Sequence, residues 1–301
     1  MKVIGIDIGG TSIKGIVVDR SGKPLAHGKI ETDAREGKDR ILANLLSLLD
    51  GLLAKHTDVR GIGIGTAGRV NVRSGEVVYA TDNLPGWQGT NMKAYLEHAR
   101  NLPVFVDNDV NAALAGEAWL GAGKGLDDVS MLTLGTGVGG ANMIGGELYR
   151  GAHWNGGEFG HTVLVPGGRP CNCGVRGCME QYLSGTALVR LASEATGRSY
   201  ASGMEVLDDF VKGVPQVADV MRRFAEHMAI AVNHLHLGLN PQAVILGGGL
   251  IDSKRIWWPL LSDAMADLKL NADVRPALLG NEAGAIGAAG LILNQLQQND
   301  G

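Results

Sequence analysis

Short apolar runs, each stopped by a glycine turn, recur along the chain and mark its expected strands. Val3 to Ile8 is almost continuously apolar and ends in Asp7-Ile8-Gly9-Gly10-Thr11. An apolar run resumes over residues 13 to 18, and a third, Leu25 to Thr32, follows the turn Ser21-Gly22-Lys23-Pro24. Three strands in a meander is the simplest parse. Ile41, Leu42, Leu45, Leu46, Leu49, Leu52 and Leu53 then recur at helical spacing, and that helix leads back to a buried strand at Gly61-Ile62-Gly63-Ile64-Gly65. Residues 70 to 83 read as a hairpin around Ser74-Gly75, followed by a loop, Asn83-Leu84-Pro85-Gly86-Trp87. A helix from about Met92 to Arg100 precedes the strand Val104-Phe105-Val106, which stops at Asp107-Asn108-Asp109; the pattern is helical again to Leu120.

The second half opens in the same way. A strand from Ser130 to Leu134 breaks at Gly135-Thr136-Gly137-Val138-Gly139-Gly140, apolar residues return through Ile144, and a Gly145-Gly146 turn starts another hairpin. Strand, glycine turn and returning strand at the head of each half suggest a duplication. Helices are expected near residues 184 to 196 and 204 to 212, and a long one carries Val217, Val220, Met221, Phe224, Met228, Val232, Leu235 and Leu239. Ala243 to Leu246 reads as a strand ending in Gly247-Gly248-Gly249, and the last helix runs from about Ala283 to Gln297.

Length turns this pattern into two domains, because 301 residues exceed a usual single core. Hydrophobic residues make 45% of the chain, ample for buried sheets, while a net charge of -4 without a local Lys/Arg run offers no field for nucleic acid. The start passes directly into a strand and no apolar segment reaches about 18 residues, so a cytoplasmic protein without a membrane span is expected.

All three cysteines fall between Glu158 and Glu180: Glu158-Phe159-Gly160-His161, then Cys171-Asn172-Cys173, then Cys178-Met179-Glu180. Three thiols and one imidazole complete a tetrahedral zinc set with no position left for a catalytic water, which makes the metal structural. One disulfide with a spare cysteine is the competing reading; the odd count and the lack of a leader pattern favour metal. The two glycine turns suit phosphate, because bare backbone can approach and its N–H groups converge on anionic oxygens. Either turn alone reads equally as hairpin chemistry. Asp7 stands where a carboxylate can hold hydrated magnesium beside them, with Thr11 and Lys14 adding a hydroxyl and a charge. Residues 63 to 68 and 135 to 140 both spell G-x-G-x-x-G, yet no helical pattern follows either, so a dinucleotide fingerprint is not expected. Asp109 either caps the helix it opens or accepts a hydroxyl proton as that oxygen attacks phosphorus. Asn83 and Asn108 are either turn residues or readers of sugar hydroxyls. His227, His234 and His236 read as packing or surface histidines.

The sequence resembles the ROK family of repressors, open reading frames and kinases, built on the actin-like, ribonuclease H-like ATPase fold. Asp7-Ile8-Gly9-Gly10-Thr11, Asp107-Asn108-Asp109-Val110-Asn111-Ala112, Leu134 to Gly140, Glu158-Phe159-Gly160-His161 and Cys171-x-Cys173-Gly174-x-x-Gly177-Cys178-x-Glu180 occur in family order over nearly the whole chain. The resemblance implies an α/β fold of two domains, residues 1–118 and 119–301, with an inter-domain cleft, a zinc segment at 158–180 and a terminal helix free to pack back on the N-terminal domain. It implies ATP-dependent phosphorylation of a hexose, with Asp109 as base and Mg2+ beside the phosphates. ATP contacts carry over to Asp7, Gly9, Gly10, Thr11, Lys14, Thr136, Gly137, Gly139 and Gly140, with Gly247, Gly248 and Gly249 beside the adenosine. Sugar contacts carry over to Gly68, Asn83, Asn108, Asp109, Glu158, His161 and Glu180, and structural Zn2+ to His161, Cys171, Cys173 and Cys178. A homodimer is implied by the resemblance alone. Asn83 to Trp87 resembles the glucokinase branch, which puts the 6-hydroxyl of glucose first and N-acetylmannosamine or N-acetylglucosamine next. A sugar-responsive repressor needs a helix-turn-helix ahead of Asp7, where six residues stand, and an actin- or chaperone-like ATPase leaves the cysteine segment unexplained. Asp107, where Glu is frequent, and Thr66-Ala67-Gly68, where a proline often precedes the glycine, depart from the family pattern and bear on the sugar pocket.

Overall fold

The computed structural model describes residues 1–81 and 84–299. In chain order it forms β1 (Lys2–Ile8), β2 (Ser12–Asp19), β3 (Pro24–Glu31), α1 (Lys38–Leu53), β4 (Val59–Thr66), β5 (Arg69–Asn71), β6 (Glu76–Tyr79), α2 (Met92–Arg100), β7 (Val104–Asn108) and α3 (Asp109–Leu120). The second half continues with β8 (Val129–Leu134), β9 (Val138–Ile144), β10 (Glu147–Leu148), α4 (Glu180–Leu183), α5 (Gly185–Thr196), α6 (Gly203–Val211) and α7 (Pro215–Leu239). It closes with β11 (Ala243–Gly247), α8 (Lys254–Asp267), β12 (Val274–Pro276) and α9 (Ala283–Asn299). Two five-stranded sheets have the orders β3-β2-β1-β4-β7 and β10-β9-β8-β11-β12. Each is a hairpin meander extended by parallel strands, so the likeness of the two halves extends to strand order. No helix among the described residues is long and apolar enough to cross a membrane.

The chain divides into two compact units, residues 1–125 with 150–156 and 281–301, and residues 126–149 with 157–280. In the first, the central strands β1 and β4 are apolar nearly throughout because helices cover both faces. Ile4, Ile6 and Ile8 of β1 and Ile62 and Ile64 of β4 share one core with Ile41, Leu45 and Leu49 of α1. On the other face Gly5 of β1 and Gly61 and Gly63 of β4 lie under α9, whose first half is largely alanine and glycine. A Cβ at Gly63 would stand 1.8 Å from the carbonyl oxygen of Ala288, so the helix backbone rests almost directly on the sheet.

In the second unit α7 turns Val217, Met221, Phe224, Met228, Val232 and Leu235 into a core with Val244 and Leu246 of β11. Trp257 of α8 meets Phe224 edge to face, ring centres 5.9 Å apart. Neither α8 nor β12 is legible in the apolar pattern. Pro259 lies inside α8, and the adjacent Trp257 and Trp258 obscure any helical period. β12 has only three residues.

Candidate active site

Parallel strands end side by side in the first unit, and the predicted residues collect at those ends. Ile8 is level with Thr66, and Thr66 with Asn108, across β1, β4 and β7. Carboxyl ends of parallel strands are where α/β sheets receive ligands, because the chain there leaves the sheet as turns and helix starts. The β1–β2 turn is fastened by Thr32, whose N–H donates to Thr11 O at 3.0 Å and whose hydroxyl donates to Gly9 O at 2.6 Å. Gly10 and Thr11 remain exposed. Asp7 and Lys14 face each other across β1 and β2, carboxylate to ammonium 4.0 Å apart. Burial raises the Asp7 pKa, and the Lys14 charge opposes the rise.

Asp109 is the first residue of α3, and capping falls to its neighbour. Asn108 Oδ1 accepts the N–H groups of Val110 at 2.8 Å and Asn111 at 3.1 Å, the arrangement of an N-cap. The Asn108 amide donates to Gly68 O and to Asp109 Oδ1, each at 2.9 Å. Burial pushes the Asp109 carboxyl up to about 6, and the negative charge of Asp7 adds to the rise. Two carboxylates so placed are an electrostatic setting that a divalent cation relieves.

Asp107 is buried, 1% exposed, under this turn. One carboxylate oxygen accepts the Asn108 N–H at 2.8 Å and the Asn111 amide at 2.9 Å; the other accepts Nε and Nη2 of Arg150 at 2.8 and 2.6 Å. The sequence pattern sets Asp107 by the sugar pocket and carries no signal for Arg150. A lone arginine 43 residues away leaves no periodic or motif signal. Asn83 lies outside the described residues. The loop after it is tied down by Trp87, whose buried indole N–H donates to Thr66 Oγ1 at 2.9 Å.

The second unit repeats the arrangement. Gly247 of β11 is level with Thr133 of β8, so Gly247, Gly248 and Gly249 and the turn through Thr136, Gly137, Gly139 and Gly140 share one edge of the sheet. Both literal G-x-G-x-x-G stretches run into strands, β5 and β9 respectively, which removes the dinucleotide fingerprint. Glu180 reaches this turn: its Oε2 accepts the Val138 N–H at 3.1 Å. Gly137 makes the approach possible, since a Cβ there would lie 2.3 Å from the same oxygen.

Residues 158 to 180 double back on themselves. Met179 N–H donates to Thr162 O at 2.9 Å and Leu164 N–H to Gly177 O at 2.8 Å, which returns Glu180 toward His161. Donor atoms of His161, Cys171, Cys173 and Cys178 all lie within 4.8 Å of one another. All three cysteines are free. Cys173 and Cys178 sulfurs are 3.5 Å apart, near the roughly 3.8 Å edge of a tetrahedron with zinc–sulfur bonds of about 2.3 Å and far from a disulfide's ~2.05 Å. Burial and the neighbouring thiols push Cys178 up to about 12, a thiol that a bound cation would hold as thiolate. The residues fit zinc, and among the described residues the cluster consists of these four donors, the set of a structural site. His161 turns Nδ1 toward Cys171 at 3.7 Å and Nε2 toward Glu158 at 4.0 Å, which leaves the second nitrogen for a hydroxyl or a carboxylate.

Residues 3–295 match the sequence profile described as ROK family. Glucokinase of Streptomyces coelicolor is 37% identical, covering 96% of this chain and 96% of its own. Among solved structures, a ROK family glucokinase from Streptomyces griseus, in complex with glucose and AMPPNP, superposes with a TM-score of 0.82 at 35% identity over 97% of this chain and 99% of that one. The ROK hexokinase from Thermus thermophilus gives 0.87 at 34% identity, with both chains fully covered.

Proposed function

From the premise that the chain belongs to the ROK family, as an ATP-dependent sugar kinase, we propose that it transfers the γ-phosphoryl group of ATP to the 6-hydroxyl of glucose. The observation that carries this reading is Asp109. Its carboxylate is held by Asn108 at the mouth of the first sheet with a pKa lifted to about 6, high enough to take a proton and low enough to be ionised at neutral pH. Full-length relatives named glucokinase, at 35% and 37% identity, support glucose as acceptor.

In this reading Asp109 orients the 6-hydroxyl and receives its proton as the oxygen attacks the γ-phosphorus. The N–H groups of the Gly9-Gly10-Thr11 turn and of the Thr136 to Gly140 turn donate to phosphoryl oxygens, and Lys14 adds positive charge. Gly247 to Gly249 receive the adenosine. Asp7 would hold magnesium, which supplies neutralisation of charge on the phosphoryl oxygens. Gly68, Asn83, Asn108, Glu158, His161 and Glu180 are the proposed sugar-reading groups. His161, Cys171, Cys173 and Cys178 would hold zinc, whose contribution is to fix His161 and the ends of its segment. A homodimer is proposed on family likeness alone.

A coupled ADP-release assay across glucose, mannose, fructose, allose, N-acetylmannosamine and N-acetylglucosamine tests the reading. Glucose with the highest kcat/KM is the expected result; an N-acetylhexosamine ahead of it by tenfold or more would move the assignment.

A further inference from the structure

Residues 150–156 are the one internal piece of the second half that clusters with the first unit; the chain on either side of it, 126–149 and 157–280, belongs to the second. The piece is short and closed. Gly156 N–H donates to Arg150 O at 2.9 Å, and Gly151 turns with φ of 71°. Arg73 lies over the ring of Trp154 at 5.9 Å. Its attachment to the base's turn is Arg150, through the two bonds to Asp107 Oδ2.

The Asp107 carboxylate therefore has its two oxygens divided between two tasks. Oδ1 holds the backbone and amide groups that shape the turn before α3, and Oδ2 holds a guanidinium. A nearly fully buried carboxylate without that guanidinium faces two remedies, each of which moves the turn. It can take up a proton, which turns one acceptor oxygen into a donor, or it can rotate to share its remaining bonds. Asn108 is directly affected because its N–H is one of those bonds, and Asn108 in turn positions Asp109 Oδ1. The Asn111 amide is the other bond, and Asn111 Oδ1 has no hydrogen-bond partner, so that side chain is free to turn over once its anchor moves.

We propose that Arg150 is a positioning residue for phosphoryl transfer, which acts through Asp107 and Asn108 to hold the Asp109 carboxylate in its reactive orientation. The inference rests on the sugar-kinase reading, in which Asp109 is the base. In this inference Arg150 acts through its bonds to Asp107 rather than by contact with sugar or nucleotide. Its effect belongs in the chemical step: a misplacement of about 1 Å at a reacting group costs on the order of 100-fold in rate while leaving ground-state binding largely alone.

The test uses the full chain as Arg150→Met, Arg150→Lys, Asp107→Asn and the double variant Asp107→Asn/Arg150→Met, with kcat, KM for glucose and KM for ATP measured for each. Arg150→Met should lower kcat by about 10- to 100-fold with either KM changed by less than about 3-fold. Arg150→Lys keeps the charge but not the paired donors, and should fall between Arg150→Met and wild type. The double variant, which leaves no unpaired buried charge, should recover thermal stability relative to Arg150→Met without recovering kcat. If Arg150→Met fails to fold, Arg150→Lys and the double variant carry the comparison. Variants that melt earlier but keep kcat within about 3-fold overturn the inference and leave the kinase reading intact. A wild type that phosphorylates none of the sugars overturns both.

Discussion

Glu180 Oε2 accepts the backbone N–H of Val138 at 3.1 Å, so the residue that ends the cysteine segment also braces the glycine turn at the mouth of the second sheet. The proposed sugar contact and the proposed phosphate turn, separate in the sequence pattern, are joined through this one carboxylate. Replacement by alanine removes a charge-assisted bond worth about 1.5–3 kcal/mol. Glu180→Ala should therefore raise KM for ATP as well as KM for glucose, each by about 10- to 100-fold. Initial-rate kinetics with each substrate varied checks this; an unchanged KM for ATP would leave the contact without functional weight.

Asp109→Asn should lower kcat by about 100- to 10,000-fold, the range of general-base contributions, while glucose affinity measured by calorimetry changes by less than about 3-fold. Near-normal turnover would remove Asp109 as base.

The raised pKa of Asp109 makes two pH predictions. Catalysis requires the ionised carboxylate, so kcat/KM should rise with unit slope up to about pH 6 and level above it. Stability runs the other way. A carboxyl whose folded pKa exceeds its unfolded value of 3.8 stabilises the fold fully below about pH 4 and loses that contribution as pH rises through about 6. At pH 8 the ionised group therefore costs on the order of 2–3 kcal/mol. Asp109→Asn should melt several degrees higher than wild type at pH 8 and close to it at pH 4, by calorimetry at both values.

Metal analysis should find about one zinc per chain, lost in Cys178→Ala. Chelation should lower the melting temperature and weaken sugar binding together, because His161 is both donor and proposed sugar contact. Intact glucose affinity in a zinc-free protein would separate the metal from the sugar.

Gly63→Val should prevent α9 from seating on the first sheet, because even its Cβ would meet the Ala288 carbonyl at 1.8 Å. A loss of several kcal/mol is expected; denaturant unfolding that matches wild type would mean that the helix can stand off the sheet.

What could be read from the chain alone depended on how local the responsible contacts are. Helix α1 announces itself through a leucine stripe that faces one sheet, and the zinc set lies within one short segment, so both are visible in order and spacing. The meaning of Asp107-Asn108-Asp109 is divided. Its place at a strand end is legible, but which residue caps and which is left over depends on side-chain rotamers, and Asn108 takes the cap. Arg150 is invisible because its partner is distant in sequence and its neighbours are turn glycines. Helix α8 is hidden by Pro259, which local propensity places outside helices, while Trp257 of the same helix packs against Phe224.

The seating of α9 on Gly63 also sets an order of events during synthesis. The first unit owns the chain's opening strands and the helix α9, so Gly5, Gly61 and Gly63 lack their covering helix until residues 283–299 leave the ribosome. At about 5–20 residues per second, that is roughly 10–35 s after residue 125 has been made. The second unit is contained wholly within that interval and can finish first. The half that carries Asp109 is begun first and completed last, so a truncated chain, however well its second unit folds, leaves the proposed base on an open sheet.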